Sequence, residues 1–431
     1  MKSLVEWSRG NRERLLQVIK KTLQDPLAPW ALVLVNDYEN HKERFRSESS
    51  FFYLTGIHEP AIAVVIYSDG RQVLYRPAYS IDRESWTGVR FNPEELGFPE
   101  VKYLGDAIKG YSISGVFKAE NYKILGEDLA LWLNTGGSLF VLHDVSGGHY
   151  KTQSELLSMV VDTFGISYKE VRDVSPLLHE LRREKSVSEI ALMYDAAQVT
   201  IAAHKFVAKA IKSGAFEYEL RAGVESVFAL SGAERPAFPT IVGSGLNSTR
   251  LHYTQGGSQL MDGDLVVIDC GAEYRMYCAD VTRTYPVSGM FTPRQKEIYE
   301  LVLRVQKTLE LLVKPGMFLR NADFPDLSLH HLAVKMFKDA GVEKYFTHSI
   351  GHYLGLDVHD VGDYSVPLCS GDAFTLEPGL YFPEERLGIR IEDDYVLADD
   401  GLICLSEDLP KEADDIEALL AEKVQGFNLT E

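Results

Sequence analysis

The sequence is poor in cysteine, in long apolar runs and in positive charge. Its 431 residues hold four cysteines (Cys270, Cys278, Cys369 and Cys404), and no two of them form a CxxC pair. So few thiols in so long a chain exclude a disulfide scaffold, and we expect a reducing cytoplasm. Cys270 and Cys278 lie beside candidate carboxylates, but they are predicted to be small buried apolar side chains.

No apolar run approaches the roughly 18–20 residues that span a bilayer. The opening stretch, MKSLVEWSRGNRERLL, is charged where a secretory signal needs an apolar segment, so we expect none. Basic residues number 44 against 63 acidic ones, which gives a formal net charge of −19. Nucleic acids and anionic membranes attract basic surfaces, so neither is expected as a partner. The length allows two or three domains.

The first region alternates strand-like runs with helical patterns. Its strands are rich in β-branched residues and end at turn formers, and a helical pattern ends at a glycine. The predicted strands are Ala31–Asn36, Ala61–Gly70, Arg71–Ala78 and Gly137–Asp144, and the predicted helix is Tyr150–Gly165. This pattern predicts an α/β domain with a mixed sheet over residues 1–173.

The second region, residues 174–431, mixes longer helices with strands and is predicted to be α+β. A boundary is expected near Arg172–Pro176. A capping box at Ser186 opens a long helix that stops near Ser213-Gly214. Further helices are predicted over Tyr218–Leu230, Pro293–Val313 and Leu327–Ala340.

Two aspartates eleven residues apart flank a predicted turn in LVVIDCGAEYRMYCADVTRTYPV, residues 265–287. A buried strand delivers Asp269, and the next strand carries Asp280, so a hairpin would bring them side by side. Adjacent buried carboxylates repel each other, and a divalent cation removes that cost. A cap or a turn is the alternative role for either aspartate alone.

Three of the twelve histidines crowd into HSIGHYLGLDVHDVGD, where they are His348, His352 and His359. Gly351 and Gly355 disfavour a regular helix, so we predict a strand or a loop, with the glycines allowing close backbone approach. A lone histidine is usually a satisfied polar residue, but three at these spacings indicate a site.

Two later segments supply further acids. TLEPGLYF presents Glu377 at a strand end, and LGIRIEDDYVL presents Arg390 and Glu392 on one face, with Asp393 and Asp394 expected on the outward or terminal side. Four carboxylates with one or two imidazoles suit two divalent ions about 3.5–4 Å apart. Oxygen-rich ligands favour Mn²⁺, with Co²⁺, Fe²⁺ or Zn²⁺ as alternatives.

These motifs together resemble a known family. The five residues Asp269, Asp280, His352, Glu377 and Glu392 are similar to the ligand set of the pita-bread metallopeptidases. The surrounding IDCGAEYRMYCADVTRTYPV, HSIGHYLGLDVHDVG, TLEPGLYF and GIRIEDD resemble the Xaa-Pro aminopeptidases (aminopeptidase P) and the prolidases. SSFFYLTGIHEPAIAVVI, residues 49–66, resembles the family's N-terminal domain. The resemblance implies an α/β N-terminal domain and a pita-bread catalytic domain.

The resemblance also implies a role for each matching position. Asp269 would bind one ion through both oxygens, Asp280 and Glu392 would bridge both ions, and His352 and Glu377 would complete the other site.

Other matching positions would act without binding metal. His252, in LHYT, with His348 and His359 would line the substrate pocket, and Arg390 would orient Asp280 or Glu392. Trp86, in RESWTGVR, resembles a tryptophan that the family lends to a neighbouring subunit's site, which implies a homo-dimer or homo-tetramer.

The implied activity removes the first residue from peptides with proline second. A hydroxide bridging two ions would attack the carbonyl before proline, His359 or His252 would stabilise the oxyanion, and Glu377 would carry a proton to the leaving nitrogen. Prolidase, limited to Xaa-Pro dipeptides, is the alternative, although the short Glu377–Glu392 spacing favours the aminopeptidase. Non-catalytic pita-bread modules and a creatine-hydrolysing relative lack ligands that are present here. Methionine aminopeptidases usually lack so large an N-terminal domain.

Overall fold

A computed structural model of the chain describes residues 4–23, 25, 27–39, 44–79, 85, 97–106, 119–143, 150–167, 169 and 171–422. Its contacts divide the chain into two compact units, Met1–Arg182 and Arg183–Glu431. The predicted ranges, 1–173 and 174–431, differ from this division by the short stretch that contains the helix Ser175–Arg183. Trp86 lies outside the described residues.

The N-terminal unit contains a mixed sheet with the strand order β4-β3-β2-β1-β5-β6 among the described residues. β1 runs antiparallel to β2 and parallel to β5. The sheet therefore mixes both directions, as the sequence predicts. The strands are β1 Trp30–Val35, β2 Ala63–Tyr67, β3 Gln72–Arg76, β4 Glu100–Tyr103, β5 Ser138–Val141 and β6 Val171–Asp173.

Helices accompany this sheet. The predicted helix Tyr150–Gly165 is confirmed as Lys151–Phe164, and Gly165 ends it with a φ of 66°, a conformation that glycine adopts at little cost. Together with the strands, the helices Lys123–Asn134 and Lys151–Phe164 bury an apolar core that includes Val33, Val65 and Leu139. The helices are α1 Leu4–Thr22, α2 Ser49–Thr55, α3 Lys123–Asn134, α4 Lys151–Phe164 and α5 Ser175–Arg183.

The C-terminal unit holds several small antiparallel sheets among its described residues. Strand β9 pairs with β8 and β12, β16 pairs with β13 and β17, and β14 pairs with β15. The strands are β7 Arg235–Pro236, β8 Ile241–Ser244, β9 Leu265–Cys270, β10 Ala272–Tyr274, β11 Tyr277–Cys278, β12 Val281–Pro286, β13 Ala373–Leu376, β14 Gly379–Phe382, β15 Leu387–Arg390, β16 Asp393–Ala398 and β17 Gly401–Cys404.

The four predicted helices of this unit are confirmed with small shifts at their ends, whereas the helix Ala413–Ala421 was not predicted. The capping box at Ser186 is present, and the helix that it opens ends at Ala208, before the predicted stop. Thr292 caps the helix that begins with a proline. The helices are α6 Val187–Ala208, α7 Glu217–Leu230, α8 Pro293–Leu312, α9 Leu329–Asp339 and α10 Ala413–Ala421. In the described part of the chain no helix is both long and apolar enough to cross a membrane.

Candidate active site

One cavity of about 620 Å³ in the C-terminal unit has every site residue predicted from the sequence on its wall. These residues come from distant parts of the chain, so only the tertiary fold can bring them together. They are His252, Asp269, Asp280, His348, His352, His359, Glu377, Arg390 and Glu392.

The two aspartates meet through the predicted hairpin. Asp269 lies in β9 opposite Thr282 of β12, and Asp280 immediately precedes β12. The two segments approach closely at Gly271, where a Cβ would lie only 1.6 Å from the carbonyl oxygen of Ala279. Glycine at this position is therefore required for the two carboxylates to share one cavity wall.

His352 reaches Glu377 because the histidine-rich segment runs beside β13. The backbone N–H of Thr375 donates to the carbonyl of His352 at 2.9 Å, and the N–H of Glu377 donates to that of Ile350 at 2.8 Å. A Cβ on Gly351 would lie 2.0 Å from the Thr375 carbonyl oxygen, so the predicted close backbone approach is confirmed. The predicted absence of a regular helix is confirmed as well.

The imidazole of His352 is held in one orientation and one tautomer. Its Nδ1 lies 3.0 Å from the carbonyl oxygen of Tyr353. Since a carbonyl only accepts, Nδ1 carries a proton, and in the neutral imidazole the lone pair is therefore on Nε2. Nε2 faces Asp280 Oδ2 at 3.3 Å and Glu377 Oε1 at 3.8 Å. A free imidazole lone pair turned towards two carboxylates is the arrangement that a metal ion requires.

The carboxylates themselves fit divalent cations. One potential ligand atom from each of Asp280, His352 and Glu392 lies within 4.8 Å of the other two. In the described part of the chain, Asp269 Oδ1 and Asp280 Oδ1 are buried and meet no hydrogen-bond donor. Burial, followed by repulsion from Asp269 and Asp394, raises the pKa of Asp280 well above its ordinary value. Cations would satisfy these oxygens and remove the repulsion.

The pKa values predict that metal ions stabilise the protein more at high pH. Burial raises the pKa of Glu377 to about 7, and burial with repulsion from Asp280 raises that of Glu392. A carboxyl group whose pKa is higher in the folded chain stabilises it fully below the unfolded pKa of about 4. This stability is lost as the pH rises through the folded pKa.

Between about pH 5.5 and pH 8, the melting temperature of the metal-free protein should therefore fall relative to that of protein saturated with Mn²⁺. Thermal unfolding with and without Mn²⁺ at both pH values measures the difference, with NaCl of equal ionic strength as the control. If Mn²⁺ raises the melting temperature at pH 8 by no more than at pH 5.5, the raised pKa values of the acidic cluster are contradicted.

Arg390 is buried and holds two of the carboxylates in place. Its Nη2 donates to Asp269 Oδ2 at 2.6 Å, and its Nε donates to Thr282 Oγ1 at 3.1 Å. Thr282 Oγ1 donates in turn to Glu392 Oε2 at 2.6 Å. The sequence-based expectation was that Arg390 orients Asp280 or Glu392. Its direct carboxylate partner is Asp269, and it reaches Glu392 only through Thr282.

His348 is part of the same hydrogen-bond network. Its Nδ1 lies 2.8 Å from the carbonyl oxygen of Ser349 and carries the proton, so Nε2 accepts from the hydroxyl of Tyr381 at 2.9 Å. Arg390 Nη1 donates to that hydroxyl oxygen at 2.8 Å. Burial, then the charge of Arg390, lowers the pKa of His348 to about 3. His348 is therefore a neutral imidazole, 3.5 Å from Glu377 Oε2.

His359 lies against His352, with ring centroids 4.1 Å apart. Burial, then the neighbouring His352 and His252, lowers the pKa of His359 to about 4. A neutral imidazole can still donate one hydrogen bond into the cavity, and His252 lies on the same wall.

Asp393 and Asp394 were expected on the outward or terminal side. They open the strand Asp393–Ala398, but the outward alternative was wrong, because both are fully buried. Asp394 accepts the backbone N–H of Asp280 with both oxygens, at 3.2 and 3.1 Å. Burial alone would raise the pKa of Asp393, but Arg283 at 2.6 Å and Lys411 at 3.0 Å outweigh it and lower that pKa. Two consecutive acids within an apolar strand were the sequence signal for these buried partners.

Two more buried contacts of charged residues, which the sequence did not single out, hold loops of the site. Lys185 Nζ lies 3.0 Å from Asp360 Oδ2, each side chain is 1 % exposed, and Asp360 follows His359 in the chain. Glu217 accepts from the hydroxyl of Tyr253, in the LHYT segment, at 3.0 Å. Each pair fastens a histidine-bearing loop to the body of the unit.

Comparison with known proteins agrees with this geometry. Residues 191–399 match the model of metallopeptidase family M24, and residues 11–103 match that of the aminopeptidase P N-terminal domain. The Xaa-Pro aminopeptidase of Haemophilus influenzae is 34% identical over 423 residues, which cover 90% of this chain and 93% of that protein. The Escherichia coli Xaa-Pro aminopeptidase is 32% identical over 96% of this chain and 98% of its own length.

Solved structures give the same result. Proline aminopeptidase P II from Yersinia pestis matches with a TM-score of 0.79 and 30% identity, over 97% of this chain and 99% of that one. Zn-substituted E. coli aminopeptidase P in complex with product matches with a TM-score of 0.80 and 29% identity, over 97% and 98%. This chain therefore belongs to the Xaa-Pro aminopeptidase and prolidase family of pita-bread metallopeptidases, and it is a metallo-exopeptidase with an α/β N-terminal domain and a pita-bread catalytic domain.

Proposed function

We propose that this protein is a two-metal Xaa-Pro aminopeptidase, which releases the first residue of peptides whose second residue is proline. The observation that carries the proposal is the cavity wall, where an oriented imidazole and buried carboxylates with unmet oxygens face each other. The relatives in H. influenzae and E. coli that bear the name Xaa-Pro aminopeptidase support the substrate class.

The residues that would hold the ions are those of the sequence-based prediction. Asp269 would bind one ion, Asp280 and Glu392 would bridge both, and His352 with Glu377 would complete the second site. Mn²⁺ is the expected ion because most of the donors are carboxylate oxygens. When bound there, divalent cations would supply Lewis acidity for the scissile carbonyl and for a nucleophilic water near neutral pH.

The chain's own groups would move the proton and stabilise the developing charge. Glu377, on the cavity wall, would take a proton from water and give it to the leaving nitrogen. The neutral imidazole of His359, or that of His252, would donate to the carbonyl oxygen as its charge grows. Arg390 would keep Asp269 in place, and His348 would line the pocket beside Glu377.

A proline after the scissile bond changes what the pocket must provide. The proline nitrogen is a tertiary amide without an N–H, so a cleft that binds a backbone donor there gains nothing from it. Apolar side chains on the cavity wall, Phe238, Pro239 and Ile241 among them, offer the ring a place to pack instead.

A substrate panel tests the proposal. Mn²⁺-loaded protein is incubated with an Xaa-Pro dipeptide, an Xaa-Pro-Xaa tripeptide and an Xaa-Ala-Xaa tripeptide, and the released first residue is quantified. We expect release from the Xaa-Pro tripeptide. Failure to cut it with Mn²⁺, Co²⁺, Zn²⁺ or Fe²⁺ would refute the proposal, and a strong dipeptide preference would establish a prolidase. The alanine peptide tests the need for proline, since a yeast relative that is 30% identical bears the name intermediate cleaving peptidase 55.

We also propose that the protein works in the cytoplasm as a homo-dimer or homo-tetramer. Its four cysteines are all free, which fits a reducing compartment. Light scattering of the purified protein tests the oligomeric state.

A further inference from the structure

Arg320 is a cation at the cavity wall that neither the predicted metal set nor the proposed proton transfer uses. It belongs to the segment between α8 and α9 and is exposed. Its guanidinium carbon lies 5.1 Å from the ring centre of Tyr364, which is also on the wall. Among the residues that the structure describes, no carboxylate forms an ion pair with it.

Tyr364 connects Arg320 with the carboxylate end of the cavity. Burial raises the pKa of the Tyr364 phenol, the charge of Arg320 lowers it, and that of Glu377 raises it. The ring lines the same cavity wall as Arg320 and Glu377. A guanidinium stacked on an aromatic face keeps its planar fork of donors in a fixed orientation, and this fork matches a carboxylate.

The charges of a peptide decide which part of it can approach Arg320. An aminopeptidase substrate carries an ammonium group on its first residue at neutral pH, and Arg320 would repel that group. The other end of a short peptide is a carboxylate, which Arg320 would attract. The leaving part of the substrate, beginning with proline, must therefore point towards Arg320.

We propose that Arg320, stacked on Tyr364, is a specificity-determining residue that binds a carboxylate on the leaving part of the peptide. The inference rests on the proposed aminopeptidase function and adds a preference for short peptides, whose terminal carboxylate lies within a few residues of the scissile bond. An acidic side chain in the same place offers the same chemistry.

Three peptides and the Arg320→Gln variant test the proposal. Ala-Pro-Leu carries a free terminal carboxylate, Ala-Pro-Leu-amide carries none, and Ala-Pro-Glu-amide carries one only on a side chain. For the wild-type enzyme we expect the KM of Ala-Pro-Leu to be about 5-fold below that of its amide. In Arg320→Gln the two KM values should converge, with the loss in KM rather than kcat, because binding is equal in the ground and transition states. Arg320→Lys should recover part of the difference.

The control variant is Arg304→Gln, which removes the same charge from an exposed arginine on α8 that is not on the cavity wall. Arg304→Gln should keep the full ratio between the KM values of Ala-Pro-Leu-amide and Ala-Pro-Leu. If the ratio falls as much in Arg304→Gln as in Arg320→Gln, a local contact between Arg320 and the carboxylate is overturned. An Arg320-dependent gain for Ala-Pro-Glu-amide alone would support the proposal with a side-chain carboxylate as the ligand. If wild-type enzyme cuts all three peptides with one KM, only this inference fails. If it cuts none, the aminopeptidase function fails first.

Discussion

Asp280→Asn is expected to lower kcat/KM for an Xaa-Pro tripeptide by more than about 10³-fold, because it removes one of the two proposed bridging carboxylates and with it several kcal/mol of charge stabilisation. The side chain keeps its shape, and its backbone N–H keeps its acceptor, the carboxylate of Asp394. The loss should therefore appear in the metal content. Elemental analysis after Mn²⁺ loading and gel filtration should find fewer than two ions per chain.

Thermal unfolding separates this loss from misfolding. In the metal-free protein the substitution removes a buried charge that is repelled by Asp269 and Asp394 and whose pKa is raised by burial. The metal-free variant should therefore melt at the same temperature as metal-free wild type or a few degrees higher. Mn²⁺ should raise the melting temperature of the wild type much more than that of the variant.

His359→Ala provides the comparison, because His359 is proposed to contact the substrate oxygen and no ion. It should keep the wild-type metal content and lose about 10²-fold in kcat. Full turnover in Asp280→Asn, or equal metal loss in both variants, would contradict the assigned roles.

The candidate ligands were predictable because their local sequence marks them. Asp269 ends a run of apolar strand residues, and Glu377 stands before a Pro-Gly turn at the end of another. A carboxylate at the end of a buried strand is costly to bury without a partner, so its position alone indicates a site. The hairpin between Asp269 and Asp280 spans few residues, and chain geometry nearly determines their separation.

The partners of these groups were not predictable, because tertiary contacts choose them. Arg390 and Asp269 are 121 positions apart, and nothing local to either selects the other over Asp280. Asp394 looked like a strand-end acid facing water, yet it is buried because the Asp280 backbone needs an acceptor there. A sequence pattern indicates which residues of one segment are buried, whereas their hydrogen-bond partners depend on how different segments pack together.

The strands of the N-terminal sheet were also only partly predictable from the sequence. Its central strand, Trp30–Val35, is buried throughout and reads as an apolar run. The outer strands Glu100–Tyr103 and Val171–Asp173 were not predicted, because they are short and only partly buried. Among the strands that the structure describes, both lie at the edges of the sheet, where polar residues are tolerated.

Glu377→Gln tests the other large effect, the proposed proton transfer. Glutamine keeps the size of the side chain and one metal-binding oxygen but cannot accept and return a proton near neutral pH. Loss of a positioned acid–base group costs about 10²–10⁴-fold in kcat. We expect a loss in this range for an Xaa-Pro tripeptide, with a smaller change in KM. The matched control is Glu385→Gln, which removes the same charge from an exposed surface pair with Arg294 and should retain wild-type kcat.

The identity of the leaving group shows whether Glu377 donates a proton as well as accepting one. Proline leaves as a strongly basic amine and must be protonated, whereas the p-nitrophenolate of an amino-acid p-nitrophenyl ester leaves without a proton. If Glu377 supplies that proton, Glu377→Gln should be much less impaired on the ester than on the peptide. An equal deficit on both substrates would mean that Glu377 acts only before the bond breaks, through metal binding or activation of water. A wild-type rate on the peptide would remove Glu377 from the mechanism.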